Sequence, residues 1–172
     1  SKIQNIQLVS LQKNDGIEQI SEFQKENSIL NFDSELDVNV KFLDTAGLMM
    51  NLDLIICTDT SIPHLAGSLG VRVWLLVQKY PYWYWASKNN KSMWYDSIKI
   101  YKQSKLNSWT SVFNKIENDL KNEYRDTLKI LENKIDKSNL LAKELRSDNT
   151  TLQMEKLEQE NQISKLKDEK HL

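Results

Sequence analysis

The chain predicts an α/β fold built on a parallel sheet and continued by a long carboxyl-terminal helix. Three observations carry this. Two unbroken apolar runs, Leu54-Ile55-Ile56-Cys57 and Val71 to Val77, read as strands buried on both faces, and short helical segments separate such runs. All four glycines (Gly16, Gly47, Gly67, Gly70) and both prolines (Pro63, Pro81) lie in the first half of the chain, so no strong helix breaker follows Pro81. Near residue 115 the composition changes, and Lys, Glu, Asp and Asn take over. The expected division is an α/β domain over residues 1–118 and a helical tail over 119–172.

The elements follow in order. Residues 6–9 form a short strand. Residues 16–25 place Ile17, Ile20 and Phe23 at helical spacing, and residues 38–42 alternate as a half-buried strand does. Asp44 is placed to cap a short helix that runs through Met50. Residues 54–58 are a buried strand, 63–69 a helix and 71–77 a second buried strand. Residues 98–101 make an edge strand, and Trp109 begins the last helix.

The tail has a heptad pattern. With Tyr124 at d, positions a take Leu128, Ile135, Ala142 and Ile163, and positions d take Leu131, Leu145, Leu152 and Leu166. A seam held that long indicates a coiled coil, and a homodimer through residues 124–166 is the expected assembly. Ser138, Asn149, Lys156 and Gln159 interrupt the seam. Asn149 at an a position favours two parallel strands at some cost in stability. The plainer alternative is a solvated single helix, or a partly disordered tail, that happens to show the spacing, although an isolated helix this charged is marginal without a partner.

Bulk properties narrow the function classes. The formal net charge of -1 gives no overall basic field for nucleic acid. No apolar run approaches the ~20 residues needed to cross a bilayer. Ser1-Lys2-Ile3-Gln4 lacks the charged head and apolar core of a signal peptide. The first residue is not Met, which fits a piece of a longer chain. Cys57 is the single cysteine; within an apolar strand it reads as packing, and it suits a reducing compartment.

The chemistry is expected at Asp59-Thr60-Ser61-Ile62-Pro63-His64. Pro63 marks a helix start, because its missing N–H would lack a partner there anyway. Thr60 and Ser61 sit where capping residues sit. The free amides and the positive end of the helix dipole make a seat for an anion such as phosphate. The turn also follows the carboxyl end of a strand, where ligands of open parallel sheets bind. His64 could donate to a phosphate oxygen, or it could be a surface histidine bonded to a nearby loop. Asp59 could bind a sugar hydroxyl, or it could cap the turn. These two are not spaced as a metal pair, and no second His or Cys cluster lies nearby; His171, at the chain end, is set aside. Lys13, after the first strand, could approach a diphosphate, although a loop lysine is more often solvated. Between Lys79 and Tyr95 lie Tyr80, Tyr82, Trp83, Tyr84, Trp85 and Trp94. They read as a stacking platform for a sugar or base, or as a flap packed over the sheet, with the Tyr-Trp alternation turning one face inward.

Residues 42–67, including Asp44-Thr45-Ala46-Gly47 and Asp59-Thr60-Ser61-Ile62-Pro63-His64-Leu65-Ala66-Gly67, resemble the carboxyl-terminal half of glycosyltransferase family 9. Those are the heptosyltransferases and related glycosyltransferases, often fused to tetratricopeptide repeats. The resemblance continues through Ser10-Leu11-Gln12-Lys13, Pro81-Tyr82-Trp83-Tyr84-Trp85, Trp94-Tyr95, Tyr101-Lys102-Gln103 and Trp109-Thr110-Ser111-Val112, and it covers roughly residues 6–120. As a set these motifs are specific; each alone is weak.

The resemblance implies a GT-B fold, two Rossmann-like domains around a cleft, of which this chain carries the second in part. It implies that Thr60 and Ser61 hold the diphosphate of a nucleotide-sugar donor, with His64 close to the phosphates. Asp59 would hydrogen-bond the transferred sugar or order the turn, and Asp44 and Thr45 would lie near the nucleoside. It implies no bound metal and no cofactor besides the donor. The expected location is cytoplasmic, or peripheral at the inner face of the membrane. The amino-terminal domain with the catalytic base is missing, as is the first strand of the nucleotide-binding domain. The catalytic residue is therefore unknown, and the chain alone is expected to be inactive. The long helix is not a family feature. The absent base favours, for the chain by itself, a rival expectation, a non-catalytic α/β assembly module that oligomerises through its coiled coil, whereas the intact Asp59–His64 turn and the aromatic loop favour the transferase for its parent.

Overall fold

A computed structural model describes residues 6–13, 16–32, 34–87 and 89–169, with side chains through residue 161. The readings made on residues 1–4, on His171 and on the Ile163 and Leu166 side chains lie outside the described residues. The chain divides into two compact units, Ser1–Asp119 and Leu120–Leu172.

The first unit is mixed α/β with small parallel sheets. Its order is β1 (Leu8–Ser10), α1 (Ile17–Gln24), β2 (Ile29–Asn31), α2 (Leu43–Met49), β3 (Ile55–Thr58), α3 (Ser61–Ser68), β4 (Val73–Val77), a 3₁₀ turn (Trp83–Trp85) and β5 (Ile98–Lys102). The strands form two parallel sheets rather than one, β1-β2 and β3-β4-β5. In the larger sheet Ile55 faces Val73, and Val73 faces Ile98. Parallel neighbours need a crossover, and α3 supplies it between β3 and β4. From β4 to β5 the aromatic segment crosses instead, and among its described residues the 3₁₀ turn is the one helical element.

All five residues of β4 are buried, as a continuous apolar run in the middle of a sheet requires. On one face Val73, Leu75 and Val77 join Ile55, Ile98, Ile100, Met49, Ala66 and Trp85 in the core. On the other face Trp74 and Tyr101 pack ring to ring at 5.1 Å. There Asp119 accepts from the Tyr101 hydroxyl (2.7 Å) and from Lys99 Nζ (2.8 Å). Val112, Ile116 and Asp119, one helical face of α4 (Thr110–Glu169), therefore sit on the sheet side, and the two apolar members are buried. That cover reaches β5 and β4 but not all of β3: Ile56 is 44% exposed, so β3 is not covered on both faces as its apolar run suggested.

Three expectations about local structure need correction. Residues 38–42 are not a strand, and Ile29–Asn31 pairs with β1 instead. Asp37 (φ 57°) and Phe42 (φ 65°) both take the left-handed conformation and bend the segment between them, leaving Val38 and Val40 exposed. Asp44 does not cap α2 from in front; Phe42 holds the cap position and Asp44 lies in the first turn. Helix α3 begins two residues before Pro63, which falls at its third position, still within the turn whose amides have no intrahelical acceptor.

The second unit is the continuation of α4, which runs for 60 residues in all. Its Leu128, Leu131, Ile135, Leu145 and Leu152 are exposed. Among the described residues no helix is long and apolar enough to cross a membrane.

Candidate functional site

The Asp59 turn lies where the sheet argument puts it, at the carboxyl end of β3. Thr60 is extended (φ -140°, ψ -163°) and caps α3, its Oγ1 accepting from the Ile62 amide at 3.2 Å. Pro63 has no N–H. Of the four leading amides of this helix, those of Thr60 and Ser61 are left to meet a ligand. Both residues are exposed. The seat for an anion is thus narrower than a free first turn would make it.

The side chains of the turn hold the aromatic segment. Trp85 is 1% exposed, and its Nε1–H donates to Asp59 Oδ1 at 2.8 Å. His64 Nδ1 and the Tyr95 hydroxyl share a hydrogen bond of 3.3 Å. The His64 ring is flanked by Trp85 (5.0 Å between centroids), Tyr84 (5.7 Å) and Tyr95 (5.9 Å). Tyr95 also lies flat against Gly67, where a Cβ would stand 2.6 Å from its Cγ. Only Trp85, Tyr84 and Tyr95 turn inward, whereas Tyr80, Tyr82, Trp83 and Trp94 are 61–72% exposed. The expected in–out alternation fails because residues 83–85 wind as a 3₁₀ turn, which sets Tyr82 and Trp83 together on the outside.

Beside the turn, at the carboxyl ends of β3 and β4, opens a cleft of about 620 Å³. Asp59, Thr58, Gln78, Tyr80, Tyr82 and Trp109 line it. Asp59 is the only charged residue among its lining residues. Asp59 Oδ1 is taken by Trp85, so Oδ2 is the oxygen open to a ligand hydroxyl. A lining that combines aromatic rings with a carboxylate, an amide and a hydroxyl suits a neutral, hydroxylated ring. Burial pushes the Cys57 thiol up to about 12, and the Asp59 charge adds to it, so Cys57 is a protonated packing residue and no nucleophile. The Tyr84 hydroxyl is raised for the same reasons, burial first, then the charges of Asp59 and Tyr82.

Lys13, Asp44 and Thr45 gather elsewhere, around Asp37. Lys13 Nζ donates to the Leu36 carbonyl at 2.7 Å. The Asp37 amide donates to Asp44 Oδ2 at 2.8 Å, while Asp37 Oδ1 accepts from the Thr45 amide at 3.0 Å. Asp37 Oδ2 accepts from the Thr45 hydroxyl, and this bond is the largest cause holding the Asp37 carboxyl below its ordinary range; backbone amides and the Lys13 charge add to it. These contacts cap α2 and close the loop before it. The hydrogen bonds described for Asp37, Asp44 and Thr45 stay within that cluster. Of the residues expected at the site, Asp59, Thr60, Ser61 and His64 are therefore brought together and the other three form a second group. Gln78 and Trp109 line the cleft without having been expected there, and no local spacing marks them. Among the described residues no group of three or more His, Cys, Asp or Glu is placed to hold a metal ion.

No family model matches this chain, and neither does any curated protein or solved structure. Any functional reading therefore rests on the residues and their arrangement.

Proposed function

We propose that this chain is the donor-binding half of an inverting, metal-independent glycosyltransferase similar to family 9. In this reading the β3-β4-β5 sheet belongs to a Rossmann-like GT-B domain. The single observation that carries it is the cleft of about 620 Å³ at the carboxyl edge of β3 and β4, bordered by Asp59 and walled by Tyr80, Tyr82 and Trp109. A sugar ring lies against these rings, with a hydroxyl donating to Asp59 Oδ2. The diphosphate lies toward the Thr60 and Ser61 amides, where the α3 dipole offsets the charge that grows on the leaving group. An acceptor oxygen forms its bond to the anomeric carbon as the bond from that carbon to the diphosphate oxygen breaks. The acceptor proton passes to a base outside this chain. His64, enclosed by Tyr84, Trp85 and Tyr95, is a positioning residue that fixes the turn.

A second reading, a non-catalytic assembly module, is favoured by a specific observation: Asp59 and His64 already hold Trp85 and Tyr95. Calorimetric titration with ADP-, UDP- and GDP-sugars separates the two. The transferase reading expects heat with one of them at about millimolar affinity, roughly -4 kcal/mol, because half of the cleft is supplied by another domain. Asp59→Asn, which keeps an acceptor for Trp85, then weakens that binding, and so does Trp109→Ala. Silence with every donor leaves the assembly module as the reading.

A further inference from the structure

Beyond Leu120, α4 presents its seam unpartnered, with Leu128, Leu131, Ile135, Leu145 and Leu152 each 39–63% exposed. Its flanking charges are unpartnered as well: among the described residues no ion pair within the helix takes up Arg125, Lys134, Glu155 or Glu160. What covers this face must meet both the apolar seam and these charges.

We propose that the occupant is a second copy of this chain lying antiparallel, in the register that sets Ser138 of one copy against Asn149 of the other. Charge decides the direction. In a parallel pair the residue at g meets the residue at e of the next heptad on the other helix. Glu155 would then face Glu160, Lys134 would face Asn139, and Lys156 would meet its own copy across the seam. No opposite charges would meet. In an antiparallel pair e meets e and g meets g, and each a position packs against a d. The proposed register brings Arg125 to Glu160 and Lys134 to Glu155, each pair formed twice by the two-fold symmetry. No like charges face each other.

The seam agrees. Ile135 packs on Leu152 and Ala142 on Leu145, while Ser138 and Asn149 share one layer in which the amide can bond to the hydroxyl. Lys156 meets Leu131 and Gln159 meets Leu128, and both long side chains can lay an apolar stem on leucine and send the polar end to water. A shift of one heptad also pairs opposite charges, Glu132 with Arg146 and Lys134 with Asp148. It sets Asn149 against Leu131, however, which buries an amide with no partner. The pairing stands whichever reading of the cleft holds.

Cysteine crosslinking of the full chain tests it, in a Cys57→Ala background, after sedimentation has fixed the oligomeric state. Asn149→Cys and Ser138→Cys are oxidised mildly, each alone and mixed. In the proposed register each introduced cysteine lies about 16 Å along the axis from its own copy. That is beyond disulfide reach, so only the mixture gives a crosslinked dimer. A disulfide from Asn149→Cys alone would show parallel strands and overturn the proposal. A crosslink of Ser138→Cys with Ala142→Cys, and none with Asn149→Cys, would show the shifted register and overturn it too. So would a monomer at tens of micromolar, or a dimer that crosslinks in none of these mixtures. A dimer that weakens several-fold between low and high salt is expected from the four ion pairs.

Discussion

Gly67 sits within α3, where alanine would ordinarily add about 1 kcal/mol of helix propensity. Here the added Cβ would meet Tyr95 Cγ at 2.6 Å and Cδ1 at 2.7 Å, near the root of the ring where it cannot swing aside. Overpacking of this kind costs roughly 1–3 kcal/mol, so the clash outweighs the propensity. Gly67→Ala is expected to lower the urea midpoint. In a Tyr95→Ala background the same change is expected to raise it, and equal effects in both backgrounds would contradict the contact. The hydrogen bonds on Asp119 make a second prediction. Lys99 first and then Tyr101 hold its carboxyl below the ordinary value of 3.8. A depressed folded value adds stability that is complete above the unfolded value and is lost as pH falls through the folded one. Stability is therefore expected to fall below about pH 4. Asp119→Asn, which keeps an acceptor for Tyr101, should flatten that fall and cost under about 1 kcal/mol at neutral pH, since the Lys99 pair is partly exposed.

At the scale of elements, α2 depends on a cap that comes from outside its own turn. Asp37→Ala removes the acceptor of the Thr45 amide and hydroxyl and places alanine at a φ of 57°. A loss of roughly 1–2 kcal/mol is expected by chemical denaturation. Asp37→Asn should lie between this and the parent, since asparagine tolerates the backbone and still offers one acceptor. A neutral Asp37→Ala would deny the cap. The same contact explains what the sequence conceals. β3, α3 and β4 are legible because continuous apolar runs stand between polar turns and a glycine, although only β4 is buried on both faces. Residues 38–42 mislead, because Val38 and Val40 alternate as strand residues do while a carboxylate beside them reaches a helix eight residues on. The candidate site divides in the same way. A turn with a capping threonine and an early proline is written locally, and so is its place at a strand end. That Asp59 is held by Trp85, 26 residues away, has no periodicity to announce it. Neither has the arrival of Gln78 and Trp109 at the same cleft.

The chain divides into two units, and the proposed pairing gives their stabilities different sources. All five tryptophans, Trp74, Trp83, Trp85, Trp94 and Trp109, belong to the first unit, Ser1–Asp119. Their fluorescence reports on that unit, whose core is closed by intrachain burial of β4 and Trp85. Most of α4 lies in the second unit, where its apolar seam is exposed, and under the proposed pairing a long charged helix there gains its stability by association. Association makes stability depend on concentration, whereas an intrachain core does not respond to it. Thermal unfolding followed by circular dichroism at 222 nm should therefore show a helical transition that moves upward as protein is raised from about one to about a hundred micromolar, several degrees being expected for a gain of 1–2 kcal/mol. The tryptophan transition should stay where it is. Ile135→Asp together with Leu145→Asp should remove the concentration dependence of the first signal and leave the second unmoved, because neither residue belongs to the sheet unit. Coincident transitions at every concentration would mean that the two units fold as one, and the tail would then draw its helicity from the α/β unit rather than from a second copy.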